Sequence, residues 1–376
     1  MSLLPPDIHA ELSQLLQALQ SPDNSIRSQA EEHLQNNWTA TRPEVLLMGL
    51  AEQIQAAGDN ATRSFSAVIF RRIASKTRKN EAGESMDLFI SLTKDQAAVI
   101  RQKILETLAA ESERLVRNKI SDAVAELARQ YTENGDIWPE LLGALFQLSQ
   151  APEPEKRENA FRVFATTPAI IEKQHEEAVL QAFQKGFKDE AVMVRLAAME
   201  AFASFFRTIS KKGQAKYYAL IPDVLNILPP IKDSQDSDDL SKALLALIDL
   251  AESAPKMFKP LFQNLVQFSI SVIQDKELEN ICRQNALELM ATFADYAPSV
   301  CRKDPSYTND MITQCLSLMT DLGEDDDDAS EWMASDDFDQ DESDQNHVAG
   351  EQPWTDLRTS LEDRPFWPLL STGFLV

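Results

Sequence analysis

The chain has 376 residues, 43% hydrophobic and 26% charged, and a formal net charge of −24 from 36 Lys and Arg against 60 Asp and Glu. That length exceeds one ordinary core, so the chain needs several cores or one repetitive core. The negative balance argues against direct nucleic-acid binding, which needs a basic face, and only 10 glycines disfavour turn-rich β architectures and phosphate-cradling loops.

The first residues, MSLLPPDIHAELSQ, turn acidic and polar at once, unlike a signal peptide, and no apolar run approaches the roughly 18 residues that span a bilayer. A soluble, intracellular protein without membrane insertion is expected. Helices are predicted in pairs. First helices begin near Asp7, Glu44, Lys94, Trp138, Ile170, Lys216, Met257 and Thr308, and second helices near Asn24, Asn60, Glu113, Glu155, Ala191, Asp238 and Leu278. Pro43 suits a helix start, and Asp23, Asp59 and Asp236 stand where an acidic side chain accepts free amides. In ERLVRNKISDAVAELARQY, the residues Val116, Ile120, Ala123, Val124, Leu127, Ala128 and Tyr131 form one helical stripe.

A local pattern, apolar-Arg-x-x-Ala, recurs among the second helices. Ile26-Arg27 leads to Ala30, Val194-Arg195 to Ala198 and Cys282-Arg283 to Ala286; Arg157 leads to Ala160, and Arg63 and Arg117 sit in weaker copies. These arginines lie 36, 54, 40, 38 and 88 residues apart, the last gap holding a degenerate copy at Lys242. A two-helix period near 40 is the signature of HEAT-type repeats. The expected fold is all-α, a right-handed α-solenoid over residues 1–320. Alanine at the recurrent position lets helices approach closely, and the arginine is expected to link one repeat to the next.

Catalytic chemistry is missing. His9, His33, His175 and His347 have no metal-binding spacing, and no P-loop, dinucleotide or nucleophile-elbow motif occurs. Cys282, Cys301 and Cys315 are expected to be free, buried thiols of a reducing compartment. No catalytic residue, metal or cofactor is assigned; the chain reads as a binding scaffold, not an enzyme.

The eighth first helix, YTNDMITQCLSLMTDL, runs into an acidic stretch. From Asp321 to Gln345 there are thirteen acidic residues and no Lys or Arg, which leaves −11 for the rest of the chain. A calcium loop is not its reading, because Asp325, Asp326, Asp327 and Asp328 lack the alternating ligands and turn glycine of an EF-hand. Trp332 and Phe338 inside the run are unusual for plain solvated filler. Residues 321–347 are read as an acidic loop within the eighth repeat and 348–376 as a divergent tail.

Several segments together carry a family resemblance: LQSPDNSIRSQAEEHL, RSFSAVIFRRIASK, VRNKISDAVAELAR, WPELLGALFQLSQ, RQNALELMATFAD, LMTDLGEDDDDASEWMASDD and NHVAGEQ. They resemble the karyopherin-β nuclear transport receptors, most closely the importin beta-3 branch in its fungal form, over residues 1 to about 352. The resemblance implies HEAT repeats whose second helices line a concave side, and N-terminal repeats that engage Ran-GTP to release import cargo. Its implied partners are Ran-GTP, basic nuclear localisation signals of cargo proteins and nucleoporins with FG repeats, and its implied location is the cytoplasm, the nucleus and the nuclear pore. Carried onto this chain, the Ran contact falls at or near Arg63, Ser64, Phe65, Arg71 and Arg72. The acidic loop, with Asp325 to Asp328, Glu331, Asp336 and Asp337, is expected to attract basic segments at long range, and Trp332 and Phe338 to anchor them. A HEAT scaffold that organises a cytoplasmic complex, such as a phosphatase scaffold, is the alternative.

The tail PWTDLRTSLEDRPFWPLLSTGFLV lacks the apolar stripe of a partner helix for the eighth repeat. With permitted codons, a one-base shift starting at Gln352 reads AMDRLANKLGGQTVLAPTFNWL, which looks like a continuation of importin beta-3 proteins. The expectation is a frameshift, a mis-called intron or a sequencing error at this point, with further repeats in the native protein and poor packing of 353–376.

Overall fold

The computed structural model describes residues 4–79, 83, 85–136, 138–172, 176–321 and 349. The fold is an α-solenoid of HEAT-type helix pairs. It divides into two compact units, Met1–Ala182 and Phe183–Val376.

The first unit opens with α1 (Pro6–Leu19) and α2 (Asn24–His33), followed by a π-helical turn over Leu34–Thr39. Next come α3 (Pro43–Ala56), α4 (Asn60–Ala74) and a small hairpin of β1 (Thr77–Lys79) and β2 (Ser85–Asp87), paired antiparallel. It continues with α5 (Lys94–Ala110), α6 (Arg114–Glu133), α7 (Pro139–Leu148), α8 (Pro154–Thr166) and α9 (Ala169–Glu172); α10 (Glu176–Phe187) crosses into the second unit. Each second helix packs on its own first helix, and α4 packs on α6 and α6 on α8, giving a layer α4–α6–α8 against a layer α1–α3–α5–α7. Gly49 belongs to that packing: a Cβ there would lie 2.5 Å from Leu12 Cδ2 and 2.7 Å from Leu4 Cδ1, so a larger residue would require those two leucine side chains to shift.

The second unit holds α11 (Val192–Thr208), α12 (Lys211–Gln214), α13 (Ile221–Leu225), α14 (Leu228–Asp233), α15 (Ser237–Ser253), α16 (Phe262–Ile273), α17 (Asn280–Tyr296), α18 (Pro298–Cys301) and α19 (Tyr307–Met319). Here α11, α15 and α17 stack as the second-helix layer, and α16 packs on α19. An aromatic cluster fills its first core: Phe202 lies 5.1 Å from Phe183 and 4.4 Å from Phe206, and Phe205 meets Tyr217 edge-on at 5.3 Å.

Predicted helix starts agree with the observed ones within a residue or two at α1 to α8, α11, α15, α17 and α19. Three regions differ for a local reason. Around Lys216 the first helix is broken into α12, a 3-10 turn over Ala215–Leu220, α13 and α14, because Pro222, Pro229 and Pro230 remove ladder donors. Around Met257 a 3-10 turn over Pro255–Leu261 contains Pro260, and the α-helix begins only at Phe262. Near Ile170 a single turn, α9, stands before α10. The hairpin was not legible, since its six paired residues are too few for an alternation signal.

Caps and the recurrent arginines are where local chemistry fixes the pairs. Asp23 accepts from the Ser25 and Ile26 amides at 2.7 and 3.3 Å, Asp59 from Thr62 at 2.7 Å and Asp236 from Asp239 at 3.0 Å. The amide bond from Thr62 holds the Asp59 carboxyl below its ordinary pKa. The arginines fold back onto the turn that precedes their own helix. Arg27 donates to the Ser21 carbonyl at 3.2 Å, Arg117 to Ser112 at 2.8 Å, Arg157 to Ala151 and Pro152 at 2.9 and 2.7 Å, Arg195 to Asp189 at 2.7 Å and Arg283 to Ile273 at 2.9 Å. Three also reach the following repeat: Arg63 to Glu111 at 3.3 Å, Arg117 to Glu158 at 3.8 Å and Arg283 to Asp321 at 2.5 Å. Within a pair, the arginine satisfies carbonyls at the turn; between pairs, it bridges to a carboxylate. Alanines 30, 160, 198 and 286 are all buried, as close helix approach requires.

Apart from Asp321 and Ala349, the acidic run and the tail lie outside the described residues, so the expectations for the loop and for 353–376 fall there too. Cys282, Cys301 and Cys315 are unbridged and buried. Among the described residues no helix is long and apolar enough to cross a membrane.

Candidate functional site

Helix α4 carries all five residues assigned to partner contact, and its burial explains which are available. Ser66, Ala67, Ile69, Phe70, Ile73 and Ala74 are its buried side, set by helical spacing against α3 and α6. Ser64 and Phe65 are half-buried, and Arg71 and Arg72 are exposed in the last turn, where cations complement the helix dipole. Seven residues make about two turns, so Ser64 and Arg71 share one edge of the helix, and Phe65 and Arg72 the next. Arg63 differs. It donates to Asn60 Oδ1 at 2.7 Å and pairs with Glu111, whose side chain is 6% exposed, so its first role is to hold the next turn in place.

Arg71 and Arg72 open onto a groove of ≈ 580 Å³ between α4, α6 and α8. Its sides carry Arg71, Arg72, Lys76 and Arg129, and its floor carries Asp122 and Glu126. Asp122 on α6 is the pivot of the second-helix layer. It lies 3.2 Å from Arg162 on α8, 3.9 Å from Arg71 on α4 and 3.9 Å from Lys119 on its own helix. Glu126 accepts hydrogen bonds from Arg129 at 2.5 Å, Ser75 at 2.8 Å and Gln130 at 2.9 Å. Burial alone would raise the Glu126 carboxyl, but these three donors outweigh it and hold it below its ordinary pKa. Arg129 is engaged further by Glu133, and its guanidinium is held more firmly protonated by those hydrogen bonds to Glu126 and Glu133.

Lys76 and Arg72 stand apart from this paired floor. Lys76 Nζ donates to Gln35 Oε1 at 2.5 Å, a neutral partner. Its pKa is lowered, first by partial burial and second by the positive charge of Arg72. Among the described residues Arg72 has no ion-pair partner within 4.0 Å. Basic residues continue on the hairpin, where Arg78 and Lys79 are exposed and Arg78 lies 3.7 Å from Glu44. Sequence reasoning found Arg71 and Arg72 but missed Lys76, Arg129 and Arg162. These three are brought together by repeat stacking, and only their spacing near one helix pair along the chain hints at it.

No group of three or more His, Cys, Asp or Glu able to hold a metal occurs among the described residues. Asp325, Asp326, Asp327, Asp328, Glu331, Trp332, Asp336 and Asp337 lie outside the described residues.

Comparison with known proteins gives the same kinship throughout. A family model described as IPO5-like, TPR repeats, matches residues 112–268, and one described as Importin repeat matches residues 275–363. Importin subunit beta-3 of Saccharomyces cerevisiae is 38% identical over 344 residues, which is 91% of this chain and 31% of that one. A probable importin-5 homolog of Dictyostelium discoideum is 23% identical over 343 residues, 89% of this chain and 31% of that protein. The crystal structure of Kap121p matches with a TM-score of 0.82 at 34% identity, over 98% of this chain and 34% of that one. Kap121p bound to RanGTP matches with a TM-score of 0.80 at 35% identity, over 95% and 33%. This chain spans 31% of the length of the curated relatives it matches.

Proposed function

The chain belongs to the karyopherin-β family, in its fungal importin beta-3 type, and from that premise we propose that it is the Ran-binding portion of a nuclear import receptor, a binding protein without catalysis. The observation that carries this reading is the 35% identity and TM-score of 0.80 to Kap121p bound to RanGTP. Contact with Ran-GTP runs along α4, through Arg71 and Arg72 at its exposed end and Ser64 and Phe65 two turns earlier. Arg63 contributes by holding the turn at Glu111. The acidic run from Asp325 onward adds a salt-dependent attraction for basic segments of Ran or of nuclear localisation signals. Kap121p has also been crystallised with Nup53p, Ste12p and Pho4p, which supports nucleoporins and import cargo as partner classes here, with the receptor shuttling between cytoplasm and nucleus through the pore.

The test is titration of the chain with Ran in its two nucleotide states. Ran-GTP should bind well above Ran-GDP, and Arg71→Glu with Arg72→Glu should weaken the GTP form. Neutralising Asp325 to Asp328 should flatten the salt dependence. Equal affinity for both states would refute the transport reading and favour a scaffold with no reason to distinguish nucleotides.

A further inference from the structure

The chain as a whole is strongly acidic, at −24, yet the groove between α4, α6 and α8 has the opposite sign. Its lining holds four cations against two carboxylates. Both carboxylates are already engaged, Glu126 by three donors and Asp122 by Arg71, Lys119 and Arg162. The surplus therefore sits on Arg72 and Lys76. Lys76 is partly desolvated and repelled by Arg72, a state that an incoming anion relieves for both groups at once. The Ser75 hydroxyl and the Thr166 side chain line the same groove.

We infer that this groove is a docking site for a carboxylate-rich segment of a partner protein, with Arg72 and Lys76 as its principal contacts and Arg71 and Arg129 at its sides. A protein segment fits better than a nucleic acid. A phosphate backbone carries charge at every unit and would meet Asp122 and Glu126, whereas a peptide can present neutral residues to those positions. The chain's overall charge repels an acidic ligand, so binding must come from this local field and not from general attraction. The groove shares Arg71 and Arg72 with the proposed Ran-GTP contact, but its affinity for an acidic segment does not depend on that contact.

The experiment is fluorescence anisotropy of a labelled peptide of about ten residues, in which glutamates alternate with serines, titrated with the full chain at low ionic strength, where exposed charges act furthest. Saturable binding is expected, falling steeply with added salt. Arg72→Glu with Lys76→Glu should weaken it by roughly tenfold or more, because two attractive contacts become repulsive. Lys211→Glu with Lys212→Glu, on exposed lysines of α12, is the charge-matched control and should change it less than about twofold. Circular dichroism checks that each variant folds; Arg72→Gln with Lys76→Gln replaces the reversal if it does not, and should still weaken binding several-fold. No saturable binding, an equal loss in the control, or stronger competition by tripolyphosphate than by peptide of equal charge would overturn the proposal. Ran-GTP affinity is measured on the same samples. Retained Ran-GTP binding without peptide binding refutes the acidic-segment site alone, and the converse refutes only the Ran reading.

Discussion

Arg117 tests whether the recurrent arginine is a structural tie or a solvated face. It is 1% exposed, it donates to the Ser112 carbonyl at 2.8 Å, and its other terminal nitrogen lies 3.8 Å from Glu158 on the next second helix. Arg117→Ala removes a charge-assisted hydrogen bond, about 1.5–3 kcal/mol, and the buried methylene stem, at roughly 0.8 kcal/mol per CH₂. It also leaves the 13% exposed Glu158 side chain with Arg114 alone among the described residues, at 3.5 Å. Against this, Nε and Nη2 of Arg117 make no hydrogen bond among the described residues, so some desolvation cost is recovered on deletion. The net expectation is a loss of about 3 kcal/mol. Arg117→Met keeps the stem and should lose about half of that. Stacked repeats need not unfold in one step, so urea unfolding by circular dichroism is paired with amide exchange across the α5–α6 turn. Exchange should accelerate there first. A loss below about 1 kcal/mol, or no larger than that of the half-buried Arg27→Ala, would refute the tie.

Tyr307→Phe should cost about 1–2 kcal/mol, because the buried hydroxyl donates to the Met290 carbonyl at 2.5 Å and that bond between α19 and α17 is lost; thermal unfolding reads it, and an unchanged midpoint would show the bond to be replaceable. Burial raises the Asp321 carboxyl, but the hydrogen bond and charge of Arg283, with Lys276, outweigh it and leave it below its ordinary pKa. A depressed folded pKa stabilises above the unfolded value and is lost as pH falls through the folded value, so the α17–α19 contact should loosen below about pH 4; amide exchange of α19 that is equally slow there would argue against it. Burial pushes the Cys301 and Cys315 thiols up to about 12 and raises Cys282 as well. All three should resist alkylation at neutral pH in the folded chain and react fully in urea, as followed by peptide mass; rapid native labelling would contradict their burial.

Helix pairing was determined by the sequence itself. The apolar stripes, the capping aspartates at 23, 59 and 236 and the arginine period are local signals, and they act within one or two turns of the residues that carry them. Family kinship was legible for the same reason, since it rests on the order and spacing of such segments. The breaks in the sixth and seventh first helices, at Pro222, Pro229, Pro230 and Pro260, were missed by a reading of apolar stripes alone, because 3-10 and short α-turns keep apolar residues on the same side. The groove was decided only by tertiary structure. Arg71, Asp122 and Arg162 lie on three different helices and meet because second helices stack on one another. Their charges interact through space, and chain distance carries no trace of that. The same holds for Arg63: the pattern predicted a link to the next repeat, and stacking decides that the carboxylate it meets is Glu111. Which charge is neutralised and which is left exposed depends on what the neighbouring repeat places opposite it.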